Sequence, residues 1–263
     1  TLTAAFRRFG VDRVVHLVAR VDPPRDAADR EAMRRLHLDG TRAVVDAASA
    51  VDVDHVVLVS SAVVYGAHAD NTRPLPVDAP LRPNPFPYAE DKAAQEALVR
   101  GLVEDDRLTV VRPAIVYAAH AHNYLTEIIR RARLPFVRGV LPALDGHRPP
   151  LQFVHVDDVA AIVAAALSKR VTGTLHAASN DALTYDEVAA IAGLRVVDVP
   201  LRLIGPVLDR LVPLMPPSLR APSALFPYLM FPFLIDMAST SMALQLTPSW
   251  SSADTLRAML DGR

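Results

Sequence analysis

Apolar and polar positions along the first half of the chain predict strands separated by helices. Continuous apolar runs, typical of strands buried on both faces, occupy residues 11–19, 55–61 and 108–113. Helical spacing predicts helices at 31–50, 88–104 and 122–133. Strands joined through helices pair in parallel with right-handed crossovers, so the pattern predicts an α/β fold built on a doubly wound parallel sheet.

The second half has a mixed pattern, with strands predicted at 151–156 and 173–179. Asp157 can cap the helix after the first of these strands by accepting free backbone N–H groups. Thr184 and Glu187 form a capping-box pattern for a later helix, which Gly193 is suited to end. Beyond residue 200, proline and apolar residues predict short helices in a lid or lobe.

Hydroxyl groups follow the second predicted strand directly. Ser60 and Ser61 open the stretch "SSAVVYG", and open α/β sheets place ligand sites at the carboxyl ends of their strands. A proline-rich loop at 66–87 leads to Tyr88 and Lys92, which are four residues apart and share one helix face. With 6 tyrosines and two lysines in 263 residues, chance predicts roughly 0.05 such pairs. The spacing therefore indicates a functional site.

Each of these residues also has a structural interpretation. Tyr88 and Lys92 can be a solvated pair on a helix surface, and Ser61 can simply bond the backbone at a strand end. Arg148 suits an anionic substrate group or an ordinary exposed position. These alternatives stay open at the level of the residues alone.

Composition limits the class of protein. The 263 residues are 51% hydrophobic with a mean hydropathy of +0.20, which predicts a large buried core. A net charge of −1 gives no general attraction for nucleic acid. The absence of cysteine excludes disulfides and thiolate ligands, and His120 and His122 have no carboxylate nearby, so no metal site is predicted.

No membrane span is predicted either. The most apolar segment, residues 224–235, is short and broken by two prolines, so we interpret it as a buried or capping segment rather than a membrane-touching surface. A cytoplasmic location is the default expectation for a chain of this composition.

Ordered motifs along nearly the whole chain resemble one known family. They are "VDRVVHLVA", "HLDGTRAVVDAA", "SSAVVYG", the Tyr-x-x-x-Lys pair, "VVRPAIVY", "LQFVHVDDVA" and "IDMASTSMALQLTPSWSSADTLRAML". The set resembles the extended short-chain dehydrogenase/reductase superfamily, in its NAD-dependent epimerase/dehydratase branch. The resemblance implies a Rossmann-like dinucleotide-binding domain at 1–180 and a mainly helical substrate-binding lobe at 181–263.

The resemblance also implies roles for individual residues. Tyr88 would be the general acid/base, Lys92 would favour its phenolate and contact ribose, and Ser61 would hydrogen-bond the reacting oxygen. The residues expected to line NAD or NADP are Tyr88, Lys92, Ala19, Arg20, Ser60, Arg112 and Pro113.

The chain departs from the family pattern in three places. It has no Gly-x-x-Gly-x-x-Gly turn to bind the dinucleotide pyrophosphate, so we expect it to belong to a longer protein and to bind NAD poorly or not at all by itself. The apolar strand at 11–19 should then be an exposed sheet edge. His37 replaces the family's asparagine, and Ile115 with "YAA" at 117–119 departs from the pattern of enzymes that rearrange UDP-sugars.

These features predict an NAD(P)-dependent oxidoreductase or epimerase/dehydratase. Its substrate would be a small molecule with a hydroxyl or carbonyl group, either sugar-nucleotide-like or steroid- or lipid-like. The alternative is a non-catalytic protein of the same fold that senses a dinucleotide. A homodimer is left open, and no nucleic-acid partner is expected.

Overall fold

The computed structural model describes residues 1–21, 24–117, 129, 139–202 and 223–262. Its helices are α1 Leu2–Phe9, α2 Ala27–Ser49, α3 Pro87–Arg100, α4 Val156–Lys169, α5 Tyr185–Ala192, α6 Phe226–Met230, α7 Ala238–Leu244 and α8 Ser252–Asp261. Its strands are β1 Arg13–His16, β2 His55–Val59, β3 Leu108–Pro113, β4 Ile115–Tyr117, β5 Val140–Leu144, β6 Phe153–His155, β7 Gly173–Ala177 and β8 Arg195–Val199. Apart from Ile129, the helix predicted at 122–133 lies outside the described residues, as do His120 and His122.

The main sheet has the strand order β1-β2-β3-β7, and every pairing in it is parallel. Its central strands β2 and β3 are almost wholly buried, as their continuous apolar runs predicted. α2 and α3 pack against each other on one side, and α4 contacts β1, β2, β3 and β7. The predicted doubly wound parallel sheet is confirmed.

The first strand differs from its prediction. β1 covers only four residues, with alternating burial, instead of a strand over 11–19 buried on both faces. Beyond it Leu17 and Val18 are 62% and 46% exposed. The reason is that β1 lies at the edge of the described sheet and has a strand neighbour only in β2. The expectation of an exposed apolar edge is thus confirmed.

Helix starts show where local signals succeed. α2 begins at Ala27, four residues earlier than predicted, because the Asp26 side chain accepts the backbone N–H of Asp29 at 2.8 Å. The predicted Thr184–Glu187 capping box at α5 is present. At α4, however, the cap is the His155 side chain, and the predicted cap Asp157 lies in the first turn. The imidazole reaches this position because it stacks on a ring that is distant in sequence, Trp250 at 4.0 Å.

The second part contains two small parallel sheets, β4 with β6 and β5 with β8. β4, β5 and β8 were not predicted, because each is too short or too mixed to stand out from its surroundings. The β5–β8 pairing joins residues on either side of position 180. The division into domains at 1–180 and 181–263 stays a prediction. Among the described residues, no helix combines the length and apolar character that crossing a membrane requires.

Leu58 on β2 tests the core. It is 1% exposed and packs with Val45, Val99 and Val110 between the sheet and the α2–α3 layer. Leu58→Ala should destabilise the fold by about 2–5 kcal/mol, because it removes buried methyl groups and leaves a cavity. Leu102→Ala, at a position 40% exposed, is the matched control and should change stability by less than about 0.5 kcal/mol in urea unfolding. Equal effects of the two changes would contradict this packing.

Candidate active site

The carboxyl end of β2 turns sharply and presents two serines. The Ser60 backbone N–H donates to Val111 O at 2.7 Å, and Ser61 begins a 3-10 turn over Ala62–Tyr65. Gly66 ends this turn at φ 70°, where a Cβ atom would lie 2.1 Å from Arg82 O. The motif "SSAVVYG" is therefore a strand end followed by a turn that accepts only glycine at its last position.

α3 brings the tyrosine and the lysine to this strand end. Pro87 occupies the start of the helix, where its missing N–H costs nothing, and Tyr88 follows at once. The Lys92 Nζ atom lies 5.9 Å from the centre of the Tyr88 ring. The Ser61 side chain is close enough to the Tyr88 phenol to act on its pKa, which it lowers. The structure thus places Ser61, Tyr88 and Lys92 side by side.

Burial dominates the protonation of Tyr88. The ring packs beside Phe86 and His37, with centroid distances of 6.2 and 6.4 Å. Burial raises the pKa of Tyr88 to about 12, and the hydrogen bond from Ser61 acts in the opposite direction without overcoming it. This direction is opposite to the lowered pKa expected from the sequence, because desolvation of the phenolate has the largest effect on the pKa of Tyr88. The phenol is therefore protonated at neutral pH.

Lys92 is 2% exposed, and its Nζ donates to Val59 O at 2.9 Å. Burial lowers the pKa of Lys92 to about 8, while the negative charge of Glu96 acts to raise it. Lys92 is therefore buried and is not part of a solvated pair on the helix surface. The ammonium lies beneath the Tyr88 ring and is held against the end of β2.

The segment after β1 carries Ala19 and Arg20, both partly buried. The Arg20 guanidinium grips Asp29 through two bonds of 2.6 and 2.8 Å. Its backbone N–H donates to His37 Nε2 at 2.7 Å, so the His37 proton is on Nδ1, which donates to Asp91 at 2.9 Å. His37, the residue that replaces the family's asparagine, therefore ties the Arg20 segment to α3.

The remaining predicted cofactor residues are committed to internal contacts. The Ser60 hydroxyl donates to Glu96 at 2.5 Å. The Arg112 guanidinium pairs with the same carboxylate, its Nη2 donating to Glu96 Oε2 at 2.6 Å. Pro113 is buried at the end of β3 opposite Ala177. These three residues lie beneath the site, not at its surface.

A cavity of about 270 Å³ opens between three segments of the chain. Arg73 comes from the loop before α3, His147 and Arg148 follow β5, and Met230 and Phe231 end α6. Arg148 already pairs with two carboxylates, Asp186 at 3.3 Å and Asp198 at 3.2 Å. For Arg73 the described residues provide no ion-pair partner. Within the described part of the chain, the cavity therefore combines apolar walls with a guanidinium that has no carboxylate partner.

The sequence profile of the NAD dependent epimerase/dehydratase family matches residues 1–178. This chain belongs to that family. Among curated relatives, dTDP-glucose 4,6-dehydratase of Streptomyces griseus is 32% identical over 161 residues, which are 57% of this chain and 45% of that protein. The uncharacterized protein y4nG of Sinorhizobium fredii is 28% identical over 201 residues, 73% of this chain and 48% of that one. The chain spans about half the length of these relatives.

Solved structures of the same fold cover almost the whole chain. Bordetella bronchiseptica WbmG, crystallised with NAD and UDP, matches with a TM-score of 0.73 at 21% identity over 99% of this chain and 74% of that one. UDP-glucose 4-epimerase of Thermotoga maritima, crystallised with UDP-glucose, matches with a TM-score of 0.71 at 15% identity over 99% and 80% of the two chains. These likenesses establish the fold.

The residues of this family member fit one half of a nicotinamide dinucleotide. Among the described residues, Lys92 Nζ donates to Val59 O and to no other acceptor, which leaves donors for ribose hydroxyls beside Tyr88 and Ser61. The pyrophosphate half does not fit. No two of the ten glycines are closer than seven residues, so the chain contains no glycine-rich turn for that group. Arg112 does not face a ligand, because all three of its guanidinium nitrogens donate to protein groups.

Three buried polar residues of the site region were not identified from the sequence: Asp91, Glu96 and His176. For Glu96 a signal existed, since it is four residues after Lys92 on the same helix face. Asp91 and His176 had no such signal, because their partners are distant in sequence. Among the described residues, no group of histidine and acidic side chains is arranged to hold a metal ion.

Lys92 should reduce stability at neutral pH. Its folded pKa of about 8 lies below the ordinary lysine value of 10.5, so the penalty for burying its charge is fully present below pH 8 and disappears as pH rises to 10.5. Lys92→Met should therefore raise the free energy of unfolding by about 1–3 kcal/mol at pH 7, less than the full linkage value because the bond to Val59 O is lost. Urea titrations at several pH values measure this gain.

The matched control is Lys169→Met, at the chain's other lysine, which is exposed. The gain from Lys92→Met should shrink between pH 8 and pH 10.5, whereas the control should show no such trend. A gain for Lys92→Met that stayed constant across this window would show that the lysine is not buried as a charge.

Proposed function

We propose that this chain carries the proton-transfer part of an NAD(P)-dependent active site that acts on a hydroxyl or carbonyl group of a small substrate. The observation that carries the proposal is the contact of Ser61, Tyr88 and Lys92 at the carboxyl end of β2. Family membership supports it, because NAD-dependent epimerases and dehydratases define the family.

Tyr88 is suited to act first as an acid. Its pKa of about 12 keeps the phenol protonated at neutral pH, so it can donate a proton to a carbonyl oxygen that is gaining negative charge. In the opposite direction it would accept a proton as phenolate, and Lys92 and Ser61 would then stabilise the charge by ammonium attraction and a hydrogen bond. When bound, the nicotinamide cofactor supplies or accepts the hydride.

Ser61 is suited to orient the reacting oxygen. Its Oγ accepts the backbone N–H of Val63 at 3.4 Å, which leaves the hydroxyl proton available on the side of Tyr88. A substrate oxygen placed between the two hydroxyls would receive two hydrogen bonds. Such preorganised donors stabilise the charge that develops in the transition state.

The substrate is best described as sugar-nucleotide-like. The cavity contains the cationic side chain of Arg73, which suits a phosphate group and would have no charged partner on a steroid or lipid. Phe231 lines this cavity and also belongs to the apolar cluster that contains Tyr88, which supports a substrate that extends from the proposed site toward the cavity. The similarity to dTDP-glucose 4,6-dehydratase of Streptomyces griseus and to UDP-glucose 4-epimerase of Thermotoga maritima supports the same class.

Tyr88→Phe tests the catalytic proposal. Loss of the phenolic oxygen should lower kcat by about 10²–10⁴-fold, because proton transfer by a positioned side chain contributes that much. Turnover is followed through nicotinamide absorbance with a panel of UDP- and dTDP-sugars, in the protein as it occurs.

Tyr185→Phe is the matched control, since this buried hydroxyl bonds Pro142 O at 2.6 Å in the second part of the chain. Full activity of Tyr88→Phe would refute the assignment. Dinucleotide binding without any hydride transfer in the unchanged protein would favour the non-catalytic sensor instead.

Arg73→Ala tests the substrate class. If Arg73 pairs with a phosphate group, its loss should weaken UDP binding by about tenfold or more, since a hydrogen bond to a charged group contributes about 1.5–3 kcal/mol. Calorimetry with UDP measures the change. Arg257→Ala, at an exposed arginine paired with Asp254, is the control. Equal UDP affinity in both variants would place the anionic group elsewhere.

A further inference from the structure

A network of buried polar groups lies beneath the site and takes no part in the proposed proton transfer. Its members are at most 5% exposed: Glu96, Ser60, Arg112, Tyr65 and His176. Glu96 lies on α3, Ser60 at the end of β2 and Tyr65 in the 3-10 turn that follows β2. Arg112 lies on β3 and His176 on β7. Such a set of buried polar groups is costly unless every member has partners, so the arrangement calls for an explanation.

Glu96 lies at the centre of this network of buried polar groups. Its Oε1 accepts the Ser60 hydroxyl at 2.5 Å and Arg112 Nε at 3.0 Å, and its Oε2 accepts Arg112 Nη2 at 2.6 Å. Ser60 immediately precedes Ser61, and Lys92 lies one helical turn before Glu96 on the same face of α3. One carboxylate therefore contacts both structural elements that carry the proposed site.

The buried polar groups farthest from Glu96 are Tyr65 and His176, which are neutral and extend the network across the sheet. Arg112 Nη1 donates to the Tyr65 hydroxyl at 2.6 Å. His176 Nδ1 lies 2.7 Å from the backbone oxygen of Asp236 and must donate to it, so His176 Nε2 accepts from Tyr65 at 2.6 Å. Burial lowers the pKa of His176 to about 4, which agrees with a neutral ring. Arg112 is thus the group that offsets the charge of Glu96.

We propose that Glu96 is a positioning residue of this site, which orients Ser61 through Ser60 and supplies the counter-charge for Lys92, while Arg112 limits the strength of that counter-charge. The inference deepens the proposed function and rests on it for its biological meaning. The alternative is that the Glu96–Arg112 pair only holds α3 against β3. The two alternatives differ in what they predict for Lys92.

The chain's two lysines make a direct test feasible. Isotope-labelled lysine side chains give one NMR titration for buried Lys92 and one for exposed Lys169, which serves as an internal reference in the same sample. Glu96→Gln removes the negative charge and keeps the size, so the Lys92 midpoint should fall by roughly half a pH unit. Arg112→Gln removes the cation that offsets Glu96, so the midpoint should rise by a similar amount, roughly half a unit.

Opposite signs in these two variants are the expected result, whereas a pair that only holds α3 against β3 would leave the Lys92 midpoint unchanged in both folded variants. Glu90→Gln, at an exposed carboxylate near the start of α3, is the control and should leave the titration unchanged. An unchanged Lys92 midpoint in folded Glu96→Gln, or shifts of the same sign in both variants, would overturn the proposal.

Ser60→Ala covers the case in which the charge variants do not fold. It removes one hydrogen bond and no charge, so the Lys92 midpoint should stay constant while kcat falls several-fold at unchanged KM. A constant kcat would overturn the role assigned to Ser60. The titration of Lys92 does not depend on turnover. A protein that shows no hydride transfer would therefore contradict the proposed function without changing the conclusion drawn from the titration about Glu96.

Discussion

The attachment of α3 by two buried carboxylates is the constraint on which the candidate site depends. Glu96 faces the sheet and pairs with Arg112, and Asp91 faces α2, where Arg30 holds it through two bonds of 2.8 Å. His37 donates to the same Asp91 oxygen that accepts from Arg30 Nη1. A buried charge without a partner is strongly destabilising, so these pairs leave α3 little freedom to rotate or slide. Tyr88 and Lys92 lie on α3 and are therefore held in place with it.

Burial then determines how the site is charged. It raises the pKa of Tyr88 and lowers that of Lys92, so both groups are moved toward their neutral forms. In such an environment a single hydrogen bond or ion has more effect than it would in water, which gives Ser61 and Glu96 their influence. A ligand that brought its own charge beside Tyr88 would shift this balance further.

Much of the fold could be predicted from local patterns, and the failures have physical causes. Continuous apolar runs located the central strands, because strands buried on both faces need no alternation. The same pattern overstated β1, because an edge strand with one neighbour buries fewer residues, and Leu17 stays exposed. The α4 cap was assigned to Asp157, but His155 occupies that role because Trp250, far along the chain, holds its ring.

Local spacing was enough to predict which groups share a surface, because residues four apart lie on one face of a helix and a parallel strand ends beside it. The structure places Ser61, Tyr88 and Lys92 near one another, and their roles stay a proposal. Their protonation and their neighbours depend on how the helices and strands pack. The direction of the pKa shifts of Tyr88 and Lys92 is set by burial, and burial depends on segments that are distant in sequence, such as β2, whose Val59 O accepts from Lys92 Nζ. Spacing along the chain carries no information about such contacts, because they form only when the elements pack.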